Sequence, residues 1–217
     1  MMTVDVAART LCAAGRRLVD LGLSPGASGN VSVRAGDQVL VSPTGAPLGA
    51  FRPEEVAVLD LDGARVGGGR PSKEVPLHLA MYRRTPEVAA IVHVHSAHAV
   101  AYSCLPPWST MSALPPFTPY LVMRVGQVPL VGYAPPGSDD LAARLDDVEV
   151  DFRGALLAHH GSIVGAAGLD AAVDAAVEIE EAARVALALH GTAARVLPDV
   201  AVRDLADRYG TPWGPRR

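Results

Sequence analysis

The sequence predicts one α/β domain in which helices flank a central, largely antiparallel sheet. The 217 residues are 49% apolar and 19% charged, which is typical of a globular chain that buries one core. Short β-branched runs separated by Gly-containing turns crowd residues 30–68, which favours hairpins. Longer runs with apolar residues three and four apart favour helices. No repeat or linker divides the chain, so we expect a single domain over residues 1–217, with a C-terminal tail from about residue 209.

The first part of the chain is predicted to be a helix followed by two hairpins. Thr3 can cap a helix that ends at Gly22, because its apolar residues share one face. Residues 31–34 and 38–41 are predicted strands joined by a tight turn. A second hairpin is predicted from residue 56 onward, around an Asp-Gly turn.

The rest of the chain is predicted to alternate helices with short strands. Predicted strands cover 88–95, 120–125, 128–131, 155–158 and 162–166. Predicted helices cover 72–84, 97–105, 169–190 and 202–208, with a further helix from Ser138. The proline-rich segment 105–119 is expected to be an irregular loop near the site or at an interface.

Histidines provide the strongest chemical signal. His93 and His95 alternate with valines in a predicted strand, so both side chains point to one face, about 7 Å apart at the backbone, and can bind one metal ion. A third ligand can come from His159 or His160, and if this segment is a strand only one of these neighbours can point into the site. Three imidazoles leave tetrahedral Zn²⁺ one open position, as in catalytic sites.

The candidate site residues also have ordinary structural interpretations. Two histidines on a strand can simply be core side chains satisfied by hydrogen bonds. His78, His98 and His190 lie on predicted helices, where a structural or surface role is more common than metal binding. Glu74 lies in the first turn of a helix, where the dipole favours a carboxylate. Close to a metal, however, Glu74 could take and return a proton.

Three small-residue loops are candidates for binding an anion. Together their N–H groups and hydroxyls could cradle a phosphate, aided by a helix N-terminus and a lysine. Separately, each loop is an ordinary turn or helix cap. The residues concerned are Ser28, Gly29, Asn30, Thr44, Gly45, Ser72 and Lys73.

Composition excludes several classes of function. The net charge of −4 provides no broad basic surface, so nucleic acid is not an expected partner. The most apolar stretch contains three histidines and stops at two prolines, so no membrane span is expected. The N-terminus lacks the pattern of a signal peptide, and a cytoplasmic location is expected. Cys12 and Cys104 lie in apolar surroundings and are expected to be buried thiols.

These motifs, taken in order and spacing, resemble the class II aldolase/adducin family, which is typified by fuculose-phosphate aldolase. The resemblance covers nearly the whole chain and implies that family's α/β/α fold. The residues that carry it are 22–34, 42–45, 71–74, 78–82, 92–95 and 159–161.

The resemblance also implies a set of site residues. Zn²⁺, or another divalent ion such as Mn²⁺, would bind His93, His95 and His160, with Glu74 as the acid/base. The three loops described above would bind the substrate phosphate. The family's catalytic tyrosine, which a neighbouring subunit supplies, falls on Tyr120.

The resemblance extends to assembly. Members of the family are usually fourfold symmetric tetramers with sites between subunits, so a homotetramer is expected here. The family's mobile C-terminal tail carries a tyrosine, which corresponds to Tyr209.

Two departures from the aldolase pattern bear on the substrate. Ala27 stands where the aldolase has a threonine, and Lys73 stands where it has a second serine, so the phosphate pocket is altered. Residues 71–74 and 114–130 instead resemble the 3-oxo-tetronate 4-phosphate decarboxylases of this family. Those enzymes produce dihydroxyacetone phosphate and CO₂ in the breakdown of four-carbon acid sugars.

The favoured hypothesis is therefore a metal-dependent carbon–carbon lyase that decarboxylates a 3-oxo-tetronate 4-phosphate through an enediolate. The alternative is a sugar-phosphate aldolase of the fuculose-phosphate type, which reaches the same enediolate by expelling an aldehyde. Lys73 would help to bind the anionic substrate in either case. A non-enzymatic adducin-like scaffold is less favoured because such relatives lack the metal histidines, and an epimerase would need further acid/base residues.

Overall fold

The structure is a computed structural model that describes residues 2–215. One eight-stranded sheet runs through it, in the order β4-β3-β2-β1-β5-β8-β7-β6. Every neighbouring pair is antiparallel except β6 and β7, which are parallel. The strands are β1 (Asn30–Ala35), β2 (Gln38–Val41), β3 (Ala57–Asp60), β4 (Arg65–Gly68), β5 (Ala90–Val94), β6 (Leu130–Val131), β7 (Gly154–Leu157) and β8 (Gly161–Ala166). The predicted α/β class with a largely antiparallel sheet is confirmed.

Helices cover both faces of the sheet and create two separate cores. Apolar residues of α1, α3, α4 and α6 form one core with one sheet face, and residues of α2 and α5 form the other core with the opposite face. A last helix, α7, packs against α4. The helices are α1 (Val4–Asp20), α2 (Val75–Arg84), α3 (Ala97–Ser103), α4 (Pro119–Arg124), α5 (Asp139–Asp146), α6 (Leu169–Ala188) and α7 (Asp199–Tyr209).

Strand β5 lies in the middle of the sheet and is completely buried. Its alternation decides which core each side chain joins, because successive side chains of a strand point to opposite faces. Val92 and Val94 enter the core beneath α1 and α6, whereas Ile91 enters the core beneath α2. His93 shares the face of Ile91, so it is directed toward the α2 layer.

Two helix starts follow their sequence signals. The Thr3 hydroxyl accepts a hydrogen bond from the N–H of Val6, and the Ser138 hydroxyl accepts one from Leu141. Both residues adopt the extended backbone that a helix N-cap requires. These caps define where α1 and α5 begin, as predicted.

The segment 120–125 was predicted to be a strand, and this prediction is wrong. It forms helix α4, which begins at Pro119 after an extended Thr118. Proline suits the first turn of a helix because its φ is already helical and its missing N–H is not needed there. Leu121 and Val122 then enter two different cores, which suits a helix surrounded by other helices. The next predicted strand, 128–131, shortens to β6.

Two further features concern the surface. Cys12 is buried as predicted, but Cys104 is exposed because it follows the last turn of α3. Within residues 2–215, none of the helices is both long enough and apolar enough to cross a bilayer. The described part of the tail is attached to the body, since Gln127 exchanges two hydrogen bonds of 2.8 Å with the backbone of Gly214.

Candidate metal centre and active site

Four side chains meet at the end of β5 and offer one ligand atom each. Glu74, His93, His95 and His160 present atoms that all lie within 4.8 Å of one another. Glu74 and His93 are 3% and 0% exposed, and His160 is 9% exposed. Such a compact set of three imidazoles and one carboxylate is the donor chemistry of a divalent transition-metal site.

The pairing of β5 with β8 brings the histidines together. His93 lies opposite Ile163 in this ladder, and His160 occupies the turn that leads into β8. A side chain at Gly161 would collide with the backbone of Val94, so only glycine allows this turn to approach β5 so closely. The glycine after the histidine therefore has a steric role.

The side chains of His159 and His160 point in different directions, as expected for two adjacent residues. His159 is exposed, has a φ of 56°, and places its ring edge-on to that of Tyr133 at 6.2 Å. His160 turns inward, with its ring 4.9 Å from that of His93. The structure thus brings His160, and not His159, into the cluster.

The imidazoles fit a metal ion because their nitrogens converge on one another and on the Glu74 carboxylate. The Nδ1 of His93 donates to the carbonyl of Ser162 at 2.8 Å, which leaves its Nε2 lone pair directed into the cluster. That Nε2 lies 3.0 Å from the Nε2 of His95. Two ligands of a tetrahedral Zn²⁺ lie roughly 3.3 Å apart. Both ring nitrogens of His160 are buried without a hydrogen-bond partner.

Electrostatics keep two of the rings neutral, which metal binding requires. Burial, followed by the nearby charge of His93, lowers the pKa of His95 to about 4. The same two causes lower the pKa of His160 to about 4. The positive charge of Lys73 acts in the same direction on the pKa of both rings.

Glu74 is directed into the cluster by its position at the start of α2. It is the N-cap residue of that helix, one position before the predicted first turn, yet its side chain makes no capping hydrogen bond. The Ser72 hydroxyl accepts from the N–H of Glu74 instead. The carboxylate is therefore free to lie 3.1 Å from the Nε2 of His93 and 3.4 Å from the Nε2 of His160.

The ionised form of Glu74 is favoured. Burial alone would raise the pKa of this carboxyl, but hydrogen bonding to His93, the charge of His93 and a hydrogen bond from Asn30 outweigh burial and hold the pKa well below its usual range. The Nδ2 of Asn30 donates to Oε2 at 2.8 Å, whereas Oε1 has no hydrogen-bond partner. One carboxylate oxygen is thus anchored and the other remains available.

The three candidate phosphate loops are neighbours, and Ser42 connects them. Its hydroxyl accepts from the N–H of Val31, directly after Asn30, and its carbonyl accepts from the N–H of Ser72. The N–H of Thr44 donates to the carbonyl of Arg70 at 3.0 Å. Ser42 was not among the predicted site residues, although it begins one of the motifs.

The loop residues differ in what they can offer a ligand. The Ser28 hydroxyl donates to the carbonyl of Pro25 at 2.8 Å, whereas Thr44 and Gly45 are exposed. Gly29 has a φ of 79° beside the backbone of His93. Asn30 is only 4% exposed, and its amide is engaged with Glu74 and His78.

Lys73 is exposed, and the backbone around it is shaped to accommodate its stem. A Cβ at Gly137 would lie 3.1 Å from the Cγ of Lys73 and 3.2 Å from its Cδ. Gly137 also has a φ of 80°, so a larger residue there would be strained and would displace the lysine stem. Lys73 is the only lysine of the chain, which otherwise carries arginines as its cationic side chains.

Tyr120 and Tyr209 are not brought into the cluster by this chain. Tyr120 is 57% exposed at the start of α4, which packs against α6 and α7 in the layer across the sheet from α2. Tyr209 is 46% exposed and ends α7. Beyond it, the hydroxyl of Thr211 donates to the carbonyl of Val122 at 2.7 Å, which holds the start of the tail.

Glu180 of α6 is a second residue that the sequence did not single out. Its carboxylate accepts from the N–H of His98 at 3.0 Å, from the N–H of Ala99 at 2.8 Å, and pairs with the His98 ring at 2.8 Å. It therefore satisfies the start of α3, directly after His95. A long-range contact of this kind leaves no local pattern in the sequence.

Comparisons with known proteins agree with the fold and the cluster. Residues 9–187 match the family described as the class II aldolase and adducin N-terminal domain. The chain is 44% identical over 195 residues to the 3-oxo-tetronate 4-phosphate decarboxylase of Haemophilus influenzae, covering 89% of this chain and 93% of that protein. It thus belongs to the class II aldolase/adducin family.

Solved structures support the same conclusion. YgbL of Klebsiella pneumoniae superimposes with a TM-score of 0.89 at 37% identity, covering 94% of this chain and 100% of that one. An L-fuculose 1-phosphate aldolase superimposes with a TM-score of 0.84 at 28% identity, covering 94% of this chain and 96% of that one. The family resemblance inferred from the motifs is therefore confirmed.

Proposed function

We propose that this protein is a metal-dependent lyase that decarboxylates a 3-oxo-tetronate 4-phosphate to dihydroxyacetone phosphate and CO₂. The observation that carries the proposal is the cluster of Glu74 with three histidines whose free nitrogens converge. The similarity to the Haemophilus influenzae decarboxylase supports the choice of substrate.

The reaction requires one bond to break and one proton to be delivered. The bond between the carboxylate carbon and C2 breaks, and its electron pair moves into a C2–C3 double bond while the C3 carbonyl oxygen becomes an enediolate oxygen. The carboxylate carbon leaves as CO₂. A proton then adds to C2, which restores the C3 carbonyl and yields dihydroxyacetone phosphate.

His93, His95 and His160 would hold the divalent ion, which we propose to be Zn²⁺ or another ion such as Mn²⁺. When bound, that ion supplies Lewis acidity that stabilises negative charge on the substrate oxygens. Glu74, which is ionised at rest, would take a proton from water and deliver it to C2, because its Oε1 is unpartnered and faces the cluster. Asn30 holds the other carboxylate oxygen and fixes the direction of Oε1.

The open side of the cluster would bind the phosphate and the leaving carboxylate. We assign the phosphate to N–H groups and hydroxyls of the adjoining loops, where Ser42 fixes their spacing. The residues of these loops are Ser28, Gly29, Asn30, Thr44, Gly45 and Ser72. Lys73 would bind the substrate anion as a compact point charge, in a chain that uses arginine at every other cationic position.

An aldolase of the fuculose-phosphate type is the second candidate, because the structure of an L-fuculose 1-phosphate aldolase superimposes over 94% of this chain. That reaction reaches the same enediolate, but a base must first take the proton from the hydroxyl that becomes the aldehyde oxygen. A decarboxylase needs no such base. Lys73 beside the cluster favours a substrate with a second anionic group.

We further propose a homotetramer with its sites between subunits, in the cytoplasm, with residues 1–217 acting as one domain. Tyr120 supports the assembly, since it is exposed and belongs to the helix layer across the sheet from α2. A tyrosine in that position could reach a cluster of Glu74 and histidines only in a neighbouring copy. Tyr209 is a second exposed tyrosine available to such an interface.

The test is to incubate protein loaded with Zn²⁺ or Mn²⁺ with each substrate and to measure all products. We expect CO₂ and dihydroxyacetone phosphate in equal amounts from the 3-oxo-tetronate 4-phosphate. The His160→Ala variant, prepared identically, corrects for the spontaneous decarboxylation of a β-oxo acid. Aldehyde release from L-fuculose 1-phosphate without CO₂ release from the oxo acid would identify the aldolase instead.

A further inference from the structure

A buried row of polar side chains connects β1 with α2 directly behind Glu74. On α2, Glu74, His78 and Tyr82 are spaced four residues apart and share one face of the helix. On β1, Asn30 and Ser32 are spaced two apart and share one face of the strand. The two rows interdigitate, and we call Asn30, Ser32, His78 and Tyr82 the polar ladder.

Each member of the polar ladder touches the next. The ring nitrogens of His78 lie 2.5 Å from the Oδ1 of Asn30 and 2.7 Å from the Oγ of Ser32. The Ser32 hydroxyl lies 2.9 Å from that of Tyr82, whose ring is covered by the guanidinium of Arg34 at 4.8 Å. The members are 0% to 4% exposed, so water cannot replace these contacts.

The direction of every hydrogen bond follows from the carboxylate at one end. An ionised Glu74 only accepts, so Asn30 must donate from Nδ2 and accept at Oδ1. His78 therefore carries its proton on Nε2, and burial, which lowers its pKa to about 3, leaves Nδ1 as an acceptor. Ser32 donates its single proton to Nδ1, and Tyr82 donates to Ser32.

We propose that His78 is a positioning residue that, through Asn30, fixes the Glu74 carboxylate in its reactive orientation. An Asn amide can turn over, and if it did so here its oxygen would face the carboxylate and repel it. The Nε2–H of His78 prevents this because it can donate to the Oδ1 of Asn30 but not to the Nδ2 group. The inference rests on the proposed role of Glu74, but its geometry involves no ligand.

A purely structural role explains the polar ladder less well than a positioning role does. The neighbouring α2 residues Leu77, Ala80 and Met81 already attach the helix to the sheet through apolar contacts. Burying the four polar side chains of the ladder costs desolvation free energy that apolar side chains would avoid. The ladder ends on the Oε2 of Glu74, which Asn30 contacts at 2.8 Å, whereas the Oε1 lies 3.4 Å from the Nε2 of His160.

The test compares His78→Gln with His78→Asn. The Gln amide can place a donor near the position of Nε2 and keep the contact with Asn30, whereas the shorter Asn reaches only the position of Nδ1 and loses that contact. We expect kcat of His78→Asn to be about 10- to 100-fold below that of His78→Gln, with KM equal in both. Zn²⁺ affinity of the metal-free variants and their urea midpoints should be alike.

A substrate-free measurement tests the same inference independently. In ¹⁵N-histidine-labelled protein, the His78 ring, assigned by its absence in His78→Gln, should be protonated on Nε2 and bare on Nδ1 between pH 5 and 9. The opposite tautomer, or equal kcat values in the two variants, would overturn the positioning role. If wild-type protein is inactive on both substrates, the proposed function fails. The His78 tautomer would still show whether the hydrogen bonds of the polar ladder run in the proposed direction.

Discussion

The two halves of the active site are built in different ways. The inner half, consisting of Glu74, Asn30, His93 and His160, is at most 9% exposed and almost fully hydrogen-bonded or clustered. The outer half contains exposed Lys73, together with exposed Thr44 and Gly45. The inner half is preorganised by the fold, whereas the side chains of the outer half are open to solvent.

The difference follows from where each half lies in the fold. Three of the inner residues come from the middle strand β5, from the start of β1 and from the turn before β8, and these strands are neighbours in one sheet. Glu74 comes from the start of α2. Outer residues come from loops that are connected mainly through Ser42. We therefore expect substitutions in the inner half to affect turnover and metal binding, and those in the outer half to affect substrate affinity.

The largest expected effect separates the two adjacent histidines. His160→Ala should lose bound metal and all metal-dependent turnover, because it removes one of three converging imidazoles. His159→Ala should retain metal, since that ring is exposed and directed toward Tyr133. Metal content measured by atomic emission on both variants checks this. Equal metal loss would show that His160 is not distinguished from His159 as the third ligand.

Glu74→Gln should retain metal and lower kcat by about 10²- to 10⁴-fold, the usual range for removing a general acid or base. The neutral amide keeps the shape of the carboxylate but cannot carry the proton to C2. Glu87→Gln, an exposed carboxylate on the loop after α2, is the matched control. Steady-state kinetics and metal analysis check this result. Loss of the metal from Glu74→Gln would instead show that Glu74 is a metal ligand.

Glu180→Gln should cost about 1–3 kcal/mol of unfolding free energy, because a partly buried charged acceptor for the start of α3 is weakened. Its neighbour provides the comparison. Glu181→Gln removes only an exposed pair with Arg184 and should change stability by less than about 0.5 kcal/mol. Urea unfolding of both variants checks this. Equal losses of stability would show that Glu180 does not stabilise the start of α3.

Lys73→Met should raise KM by about tenfold or more with little change in metal content, since one charged contact to the substrate is lost. Lys73→Arg should recover part of the affinity. Because Lys73 is the only lysine, acetylation of wild-type protein removes the charge of only this side chain and the α-amino group. Acetylation should weaken substrate binding in wild-type protein but not in Lys73→Arg, and unchanged kcat/KM in Lys73→Met would exclude the role.

The stability of the metal-free protein should also depend on pH. The pKa of His95 and His160 is about 4 in the folded state, against about 6.5 in an unfolded chain. Between these values the unfolded state binds more protons, so the free energy of unfolding falls as pH decreases from 6.5 to 4. Urea midpoints at pH 7, 5.5 and 4.5 measure this, and a flat profile would contradict the burial of these rings.

Much of the fold could be predicted from local signals. Period-two alternation and turn residues indicated the two hairpins, and capping residues indicated the starts of α1 and α5. The exception was α4, where a run of Leu, Val and Met has the composition of a strand. Packing between α6 and α7 decided its conformation, and such packing is not encoded within the segment itself.

The candidate site was partly visible for the same reason. His93 and His95 are two residues apart on a strand, so their common face is a local property. The stripe of Glu74, His78 and Tyr82 was equally visible as a spacing of four, but its partners on β1 were not. The roles of Glu180 and Ser42 depend on long-range contacts that no local pattern signals.

By itself, the sequence determined the α/β class, the family and the residue types at the site, because periodicity, caps and motif order are properties of short segments. Only the tertiary structure decided that His160 rather than His159 joins the cluster and that Asn30 holds the Glu74 carboxylate. It also decided that Tyr120 lies in the helix layer across the sheet from α2. The physical reason is that these outcomes depend on how β1, β5, β8 and α2 are placed together, and hydrogen bonds between distant segments have no counterpart in local sequence spacing.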